Sequence, residues 1–383
     1  MNSVACLWAL PSFVRWLFSL FITTGAMQQK LTLNRLQDLL DKASQLQVAV
    51  FGDFTLEQTL NCRAQDESPD ASIQATSANY LLSGAGRVMQ LLSGLGVRAI
   101  RPFGVVGNDG YGWQMMRMLQ PLRCDLDDLC VADNWLTPVT IQSHWERSSK
   151  KPGAPFPSME LRSPSTINKT RITQLIQHFA TLVPHVDLVV VCDTSPESEN
   201  GIFSSYLRGV LSEIASKVRS TPFLVESTHF IDQYSHVISR ISADQLLESQ
   251  FADAPQPAGS AADQRIHVYE ELQSAAMKLR RQTLKPVLVS LGEQGILTCD
   301  GGTSVVPSLP ITPPVDRSSI GPAITSIAAA AMACDASPIE AAQMAMLAAN
   351  VVMHQRSHPA LATRALLLER FLTLDHLNPS SAT

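Results

Sequence analysis

The polar turn at residues 316–322 has the residue types and the position to bind an anion. It ends in Gly321-Pro322 and leads into an alanine-rich run at residues 323–334. Proline is favoured at the first position of a helix, because its missing N–H would have no partner there and its φ angle is already helical. A turn that feeds a helix N-terminus presents unpaired N–H groups and the positive end of the helix dipole, so this turn predicts an anion site.

The same stretch is typical of a buried helical hairpin. Residues 337–340 (Ser-Pro-Ile-Glu) have capping-box spacing, with proline just inside the start of a second alanine-rich helix. Alanine has a high helix propensity, and its small side chain lets another backbone approach closely. The local sequence therefore leaves an anion site and a structural hairpin open as alternatives.

The elements that must position this turn are strands and helices in alternation. The apolar run 48–51 is typical of a strand buried on both faces. It is followed by Gly52-Asp53, and α/β folds bind ligands outside the carboxyl ends of such strands. Asp53 is therefore a candidate ligand-binding residue, with a turn or cap residue as the alternative. Similar runs lie at 187–193, 223–226 and 286–291.

The composition excludes several classes of protein. Hydrophobic residues make up 45% of the chain and charged residues 16%, which is typical of a globular protein with a large core. The formal net charge of -5 gives no electrostatic reason to expect nucleic acid or an anionic membrane as a partner. The seven cysteines lack the spacing of a metal site, which indicates reduced thiols and a cytoplasmic protein.

The apolar residues at the start of the chain do not fit this picture. Residues 4–26 are interrupted by Pro11 and Arg15, whereas a transmembrane helix needs about 20 apolar residues with few charges. A secretory signal places its positive charge before the apolar core. A poor signal or anchor, a partner-binding amphipathic segment and a mistaken start are the three interpretations. We favour a start at Met27, which opens an ordinary N-terminal helix.

Residues 315–322 (Val-Asp-Arg-Ser-Ser-Ile-Gly-Pro) resemble the signature of the ribokinase (PfkB) carbohydrate kinases. That signature is Asp-x-Thr-Gly-Ala-Gly-Asp, followed by an alanine-rich helix. In the family the Gly-Ala-Gly backbone forms an anion hole for the transferred phosphoryl group, and the last Asp takes the proton of the sugar hydroxyl. Asp316 fits the first Asp and Ser318 fits the Thr.

The residues that would perform the chemistry of this signature have changed. Ser319, Ile320 and Gly321 stand at the three anion-hole positions, and the last of them matches the family. Pro322 stands at the position of the catalytic Asp. Because proline has no proton acceptor on its side chain and no backbone N–H, the resemblance implies a kinase scaffold without its base.

On the sugar side the chain resembles the heptose-7-phosphate kinase branch, the kinase domain of ADP-heptose synthases. Residues 50–57 are similar to its Val-Val-Gly-Asp-x-Met-Leu-Asp. The resemblance implies that Asp53 binds sugar hydroxyls and that Glu57 replaces a second acid. Residues 83–88 resemble Gly-Gly-Ala-Ala-Asn-Val, in which glycines such as Gly84 let the backbone approach the substrate.

Two further sugar-side positions follow from the resemblance. Arg87 replaces the sugar-binding Asn. It would crowd the pocket, pair with a phosphate through its planar fork, or lie on the helix surface. Asp193 fits the Asp of the Asp-Tyr-x-Lys-Gly turn of heptose kinases, and residues 68–71 resemble the Ser-Pro-Glu-Ala of the lid.

The nucleotide side is less altered. Residues 287–295 resemble Val-Thr-x-Gly-x-x-Gly, with Ser290 for the Thr and with Gly292 and Gly295 as the glycines. The resemblance implies that these residues, together with Asp316, bind the nucleotide. Asn350 fits an Asn of the late helix that lies near the nucleotide.

ATP and Mg²⁺ are the cofactors that the resemblance implies. In the family an Asn-x-x-Glu motif organises the magnesium ion through water. Asp244 replaces its Asn and Leu247 its Glu, so Asp244 is the one candidate left for metal binding. Glu248 comes one residue late and would point about 100° away on a helix.

The resemblance covers about residues 30–370 and implies one fold. We expect a ribokinase-like three-layer α/β/α architecture, with a central mostly parallel sheet and a small β-lid. The domain would span residues 27–375, with the lid around 54–82 and 136–166. The family also implies a small-molecule sugar or sugar phosphate as the partner, and a homodimer through the lid.

Three functions are compatible with the sequence. The first is a degenerate carbohydrate kinase relative, a pseudokinase that binds a nucleotide or sugar phosphate with little or no phosphoryl transfer. The second is an active ATP-dependent sugar kinase with a relocated base, Asp316 or Asp244. The third is a scaffold that binds neither ligand and uses the lid as an interface.

Overall fold

The computed structural model describes residues 30–64, 73–146, 155–164, 167–196, 201–251, 261–313, 315–355 and 359–377. Residues 1–26 and the predicted lid motif 68–71 lie outside these ranges. The helices are α1 (Leu33–Ala43), α2 (Gly84–Leu95), α3 (Gly110–Leu119), α4 (Lys169–Leu182), α5 (Ser205–Lys217), α6 (Ala243–Phe251), α7 (Ala261–Thr283), α8 (Ile320–Ala333), α9 (Pro338–Met353) and α10 (Arg364–Leu377).

Thirteen strands are described, in two sheets. They are β1 (Gln47–Gly52), β2 (Phe54–Ala64), β3 (Ile73–Ser83), β4 (Ala99–Gly107), β5 (Leu129–Ala132), β6 (Val139–Trp145), β7 (Met159–Leu161), β8 (Leu188–Asp193), β9 (Phe223–Ser227), β10 (Val237–Ser242), β11 (Leu284–Ser290), β12 (Gly295–Cys299) and β13 (Thr303–Pro307).

The larger sheet has nine strands in the order β13-β12-β11-β10-β9-β8-β1-β4-β5. The seven strands β11, β10, β9, β8, β1, β4 and β5 are parallel to their neighbours in this order. Strand β12 pairs antiparallel with both β11 and β13. Strand β1 is an interior strand between β8 and β4, with Gly52 in register with Cys192 of β8. Because parallel neighbours end at the same edge, the residues after β1, β8, β9 and β10 meet there, as the sequence predicted.

Helices cover both faces of this sheet, which gives three layers. Val48 and Val50 of β1 pack into one core with α1, α2, α8 and α9. Ala49 and Phe51 pack into the other core with α4, α5 and α7. Successive side chains of β1 point into different cores, and both cores are apolar. The sequence of β1 is therefore continuously apolar. No helix within the described ranges is long and apolar enough to cross a membrane.

The smaller sheet has the order β3-β2-β6-β7. Strand β2 pairs antiparallel with β3 along its whole length and in parallel with β6. It starts one residue after Asp53, so the small sheet rises directly from the carboxyl edge of the large one. Its strands overlap the ranges 54–82 and 136–166 in which the sequence predicted a lid, and the role of a lid stays a prediction.

The helical hairpin at the end of the chain has the predicted capping box. The Ser337 hydroxyl accepts from the N–H of Glu340, and the Glu340 carboxylate accepts from the N–H of Ser337. The preceding helix differs from the prediction at its start. It begins at Ile320, so that Pro322 is its third residue instead of its first. Proline is tolerated there because the first four N–H groups of a helix have no intrahelical partner.

Candidate functional site

Asp53 lies at the carboxyl edge of the large sheet, directly after the interior strand β1. Its side chain is buried, and its Oδ2 accepts hydrogen bonds from the backbone N–H groups of Thr194 (3.0 Å) and Ser195 (2.9 Å). The Thr194 hydroxyl lies 3.4 Å from the same oxygen. These donors follow β8, the parallel neighbour of β1, so the sheet register brings the three residues together.

The environment of Asp53 raises the pKa of its carboxyl group to about 7. Burial is the main cause, the nearby charge of Asp193 adds to it, and the two backbone N–H donors oppose it. Near neutral pH the carboxyl group is therefore partly protonated. It can both donate to and accept from a hydroxyl group, which suits recognition of a sugar.

Replacing Asp53 by Asn should change how stability depends on pH. An unfolded Asp has a pKa of about 3.9, so between about pH 4 and pH 7 the native state binds more protons than the unfolded state. The free energy of unfolding of the wild type must therefore fall as the pH rises through this window. Asn has no charge to bury, and it keeps an oxygen for the N–H groups of Thr194 and Ser195.

Urea melts at about pH 5 and about pH 8 would measure this effect. We expect D53N to lose less stability than the wild type between the two pH values. We also expect it to be the more stable protein at the higher one, by on the order of 1 kcal/mol or more. The matched control is Asp41→Asn, whose exposed carboxylate pairs with Arg364. Parallel pH curves for D53N and the wild type would contradict the raised pKa.

A cavity of about 190 Å³ lies between Asp53 and the small sheet. Its lining combines the carboxyl edge of the large sheet with β6, β7 and the residues that follow them. Glu160 and Arg162, which form an ion pair at 3.0 Å, bring both signs of charge to it, and Trp135 brings an aromatic ring. Hydroxyl, carboxylate, guanidinium and aromatic groups around one cavity suit a polar, sugar-like ligand.

Asp193 faces a different set of partners from those of Asp53. Its carboxylate is fully buried and accepts from Arg208 Nε (2.8 Å), Tyr234 Oη (2.9 Å) and Ser227 Oγ (3.1 Å). Arg208 also lies over the ring of Phe230, with its Cζ 3.9 Å from the ring centroid. This network ties β8 to α5 and β9. The predicted role of Asp193 in binding substrate stays a prediction, and it requires the network to open.

Gly84 starts helix α2 directly beside Asp53. Its φ angle is +53°, and a Cβ there would lie 2.4 Å from the carbonyl oxygen of Asp53. The next residue, Ala85, donates its N–H to that carbonyl at 2.9 Å. Glycine is therefore needed at this position both for its positive φ and for the close backbone approach.

Arg87 is buried and spans from α2 to the start of α8. Its Nη2 donates to Ser319 Oγ (2.8 Å) and to the carbonyl oxygen of Ala360 (2.5 Å), and its Nη1 donates to Gln90 (2.5 Å). With 6% of its surface exposed, it is not a helix-surface residue, and that sequence-based alternative is wrong. That it crowds the pocket or pairs with a phosphate stays a prediction.

Burial lowers the pKa of Arg87 to about 10, and the charges of Asp316 and Glu57 oppose this shift. The guanidinium is therefore still charged at neutral pH. It lines a cavity of about 30 Å³ together with Glu57, Ser319 and Pro322. Pro322 thus lines a small cavity to which Arg87 and Glu57 bring opposite charges.

A second buried arginine lies next to the start of α8. Arg240 in β10 stands in register with Glu226 of β9, and its Nη1 donates to Glu226 Oε1 at 2.5 Å. Its Nη2 donates to Ser290 Oγ at 3.3 Å, and the other oxygen of Glu226 accepts from Thr325 of α8 at 2.7 Å. A Cβ on Gly321 would lie 3.4 Å from this Nη2, so the guanidinium lies directly against the start of α8.

Three of the other residues predicted to bind the nucleotide lie in turns, which their backbone or side chain shapes. Gly292 and Gly295 have φ angles of +61° and +118°, and a Cβ at Gly295 would lie 2.0 Å from a backbone oxygen of β13. The two glycines thus shape the β11–β12 hairpin. Asp316 Oδ1 accepts from the N–H of Ser318 (2.9 Å) and so shapes its own turn.

Asn350 is buried in α9, with both ends of its amide engaged. Its Nδ2 donates to the carbonyl oxygen of Pro310 (3.0 Å), and its Oδ1 accepts from Arg370 of α10 (2.6 Å). The structure therefore gives it a role in joining two helices and a loop. Its predicted contact with a nucleotide stays a prediction.

The carboxylates near α8 do not fit a magnesium site. Asp244 is exposed on the first turn of α6, and Leu247 has no donor atom. Glu226, a carboxylate in the strands below α8, already pairs with Arg240, whose charge would repel a divalent cation. Within the described ranges, no group of three or more His, Cys, Asp or Glu side chains could hold a metal ion.

The sequence did not single out Arg208, Arg240 and Glu226 as parts of this region. A signal was present for two of them, because a lone Arg in the apolar run 237–242 and a lone Glu in 223–227 each need a buried partner of opposite charge. Nothing local in the sequence marks the donors of Thr194 and Ser195, since they are backbone N–H groups.

Comparisons with known proteins agree with this architecture. No protein-family model matches the chain. The bifunctional protein HldE of Sulfurimonas denitrificans is 24% identical over 316 residues, which are 80% of this chain and 60% of that protein. The chain therefore spans about three fifths of the length of this relative.

Solved structures of sugar kinases share the fold. The ribokinase of Arabidopsis thaliana, solved with ribose and ATP, has a TM-score of 0.64 at 15% identity and covers 85% of this chain and 98% of its own. Phosphofructokinase-2 of Escherichia coli, solved with fructose-6-phosphate, has a TM-score of 0.59 at 14% identity. The match covers 86% of this chain and 100% of the phosphofructokinase chain. The predicted ribokinase-like fold is confirmed.

Proposed function

From its ribokinase-like fold and its similarity to HldE, we propose that this protein is a degenerate carbohydrate kinase relative. It binds a nucleotide, a sugar phosphate or both, and it transfers phosphoryl groups weakly or not at all. The sugar side is the cavity at Asp53, and the nucleotide side is formed by the β11–β12 hairpin and the start of α8. HldE and the ribokinases support the class of ligand, and the residues of this chain support the loss of transfer.

The observation that carries the proposal is the contact of Arg87 with Ser319 across the base position. Phosphoryl transfer depends on bringing the acceptor hydroxyl and the phosphoryl group in line, in an electrostatic environment that stabilises the transferred charge. Here Pro322 accepts no proton, and the guanidinium of Arg87 lines the adjacent cavity, which is only about 30 Å³. A positioned base typically contributes about 10²–10⁴-fold to the rate. Together with the poor fit to magnesium, its loss leaves little activity.

Two measurements on the purified full chain test this proposal. We expect ADP or a sugar phosphate to raise the melting temperature, since a ligand that binds only the folded state must stabilise that state. At a ligand concentration of 100 Kd, the free energy of unfolding rises by about 2.7 kcal/mol. We expect an ADP-release assay to show no robust turnover with heptose phosphate, ribose or fructose phosphate. The absence of any thermal shift would favour a scaffold, and rapid turnover would refute the loss of activity.

A second candidate, an active sugar kinase with a relocated base, is favoured by Glu57. This carboxylate lines the same small cavity as Pro322 and accepts from the hydroxyl of Ser83 at 3.0 Å. Asp316 and Asp244, the two relocated bases that the sequence suggested, are less suitable than Glu57. Asp316 is engaged by the N–H of Ser318, and Asp244 is exposed on α6.

Replacing Glu57 by Gln distinguishes the two candidates. If Glu57 is the base, kcat should fall by about 10²–10⁴-fold, because Gln keeps the contact with Ser83 but accepts no proton. The matched control is Glu146→Gln in the same small sheet, which removes the carboxylate bonded to Thr76 at 2.5 Å and should leave kcat unchanged. A wild type without turnover would exclude Glu57 as a base.

A further inference from the structure

A cavity of about 730 Å³ lies at the amino edge of the large sheet, where its parallel strands begin. The residues that lead into β8, β9, β10 and β11 line it, together with the end of α8. The six residues of β8 run from this edge to the carboxyl edge, a distance of about 20 Å. The cavity is therefore separate from the candidate site at Asp53. Its volume lies in the range of about 300–1,000 Å³ that is usual for small-molecule sites.

Leu284 lines this cavity in a backbone conformation that leucine disfavours. Its φ angle is +63°, and it lies where the pairing of β10 with β11 shifts register, between Val237 and Ser239. His236 and Asp335 in the same lining have φ angles of +62° and +63°, but these residue types tolerate positive φ. Leu284 is 49% exposed and belongs to neither core, so packing does not compensate for its strain. Strained residues and strand irregularities of this kind cluster at ligand sites.

Two cations and an imidazole lie together on one half of the cavity. Lys285 lies at the start of β11, His236 precedes β10, and Arg219 lies shortly before β9. These three strands are neighbours in the sheet, so the three side chains come from adjacent strand ends. None of the three makes a hydrogen bond or an ion pair with another described residue. This half of the cavity therefore offers positive charge that the described part of the chain leaves without a counter-charge.

The two carboxylates of the lining belong to the other half. Asp187 precedes β8, and its Oδ2 accepts from the N–H of Gln47 at the start of β1 (2.8 Å). Asp335 follows α8, and its carbonyl oxygen accepts from Arg35 of α1 (3.0 Å), the helix that leads to β1. The positive half and the acidic half are thus distinct. The partly exposed apolar side chains of the lining are Pro184, Val218, Pro222, Leu284 and Met332.

We propose that this cavity binds an amphipathic organic anion, with an acidic head group on an apolar body. The head group pairs with Arg219 and Lys285, and the body lies on the apolar lining that includes Leu284. A guanidinium presents its donors in a planar fork that matches the oxygens of such a head group. Its attraction for an anion is stronger beside an apolar surface than in bulk water. Burial of the apolar body adds affinity that a small inorganic anion lacks. This site is additional to the proposed function and does not depend on it.

Fluorescence titration of the full chain with anilinonaphthalene sulfonate tests the proposal. This dye carries an acidic head group on an aromatic body, and its emission rises in an apolar environment. We expect saturable binding to the folded protein, and we expect decanoate to displace the dye where the same concentration of inorganic phosphate does not. Without saturable binding, or with equal displacement by phosphate, the proposal is wrong.

Three variants locate the bound dye. Arg219→Gln with Lys285→Gln removes both cations and should raise the Kd by about tenfold or more. The matched control, Lys217→Gln with Arg280→Gln, removes two cations that lie outside the lining in exposed ion pairs, and it should leave the Kd unchanged. Ser220→Trp places a large ring in the lining from an exposed position, where it disturbs no core packing, and should weaken binding at least as much.

The outcomes also separate this site from the proposed function. Neither ADP nor fructose phosphate should displace the dye, because their proposed sites lie at the carboxyl edge. Displacement by either of them would assign the dye to that edge and overturn the inference. Unchanged affinity after loss of Arg219 and Lys285, or an equal loss in the control, would overturn it as well. Failure of ADP and sugar phosphates to bind the protein would refute the proposed function and leave this site standing.

Discussion

Replacing Arg208 by Met is expected to destabilise the protein by about 3–5 kcal/mol. Arg208 and Asp193 are both fully buried, and the carboxylate also accepts from Tyr234 and Ser227. Removing the guanidinium leaves a buried carboxylate with two neutral donors and no counter-charge. Its desolvation is then uncompensated, which is the costly way to break a buried ion pair. Urea denaturation at neutral pH would measure the loss of free energy.

Two further variants show whether the charge or the packing causes the loss. Arg208→Met combined with Asp193→Asn should recover most of the stability, because no buried charge remains. Arg280→Met breaks an exposed pair with Asp300 and should cost no more than about 1 kcal/mol. A loss below about 1 kcal/mol for R208M would mean that Asp193 is not held by this pair, and its predicted role in binding substrate would gain support.

Most of the fold could be predicted from the sequence, because its signals are periodic and local. The apolar run 48–51 identified a strand buried on both faces, and residues 337–340 identified a capped helix. The start of α8 was misplaced by two residues. Proline is tolerated at several positions in the first turn of a helix, because the N–H groups of that turn have no intrahelical partner. The position of a proline in the sequence therefore does not fix where the helix starts.

The site could be predicted only in part, because its main contacts join distant parts of the chain. The sequence left Arg87 open between the pocket and the surface of a helix, and its partner Ser319 lies 232 residues away. Local sequence carries no information about such a contact. The pair of Arg240 and Glu226 was predictable in principle, since each is a lone charge in an apolar strand. Their strands are neighbours in the sheet, however, only because of its topology.

Restoring the missing carboxylate by Pro322→Asp is expected to raise phosphoryl transfer by less than about tenfold. The new carboxylate would lie in the cavity that Arg87 lines. An adjacent guanidinium favours the charged form of a carboxylate and lowers its pKa, which makes it a poorer base. The cavity would also remain as narrow as Arg87 leaves it, at about 30 Å³. An ADP-release assay with the sugar phosphates named above would measure the rate.

The double variant Pro322→Asp with Arg87→Asn should gain far more than the single variant. Asparagine removes the charge and opens the cavity, so the new base meets the substrate instead of a guanidinium. We expect a gain near the lower end of the 10²–10⁴-fold that a positioned base contributes. The positions to which the family resemblance assigns the organisation of magnesium, Asp244 and Leu247, would remain changed and would limit the rate.

Arg87→Asn alone is the control for the double variant, because it opens the cavity without supplying a base. It also leaves Ser319 Oγ and the carbonyl of Ala360 without their donor, so its melting temperature must be compared with that of the wild type. A large gain from Pro322→Asp by itself would contradict the obstruction by Arg87. The base would then be the one missing part of an otherwise intact kinase site, and the protein would have lost its activity through a single substitution.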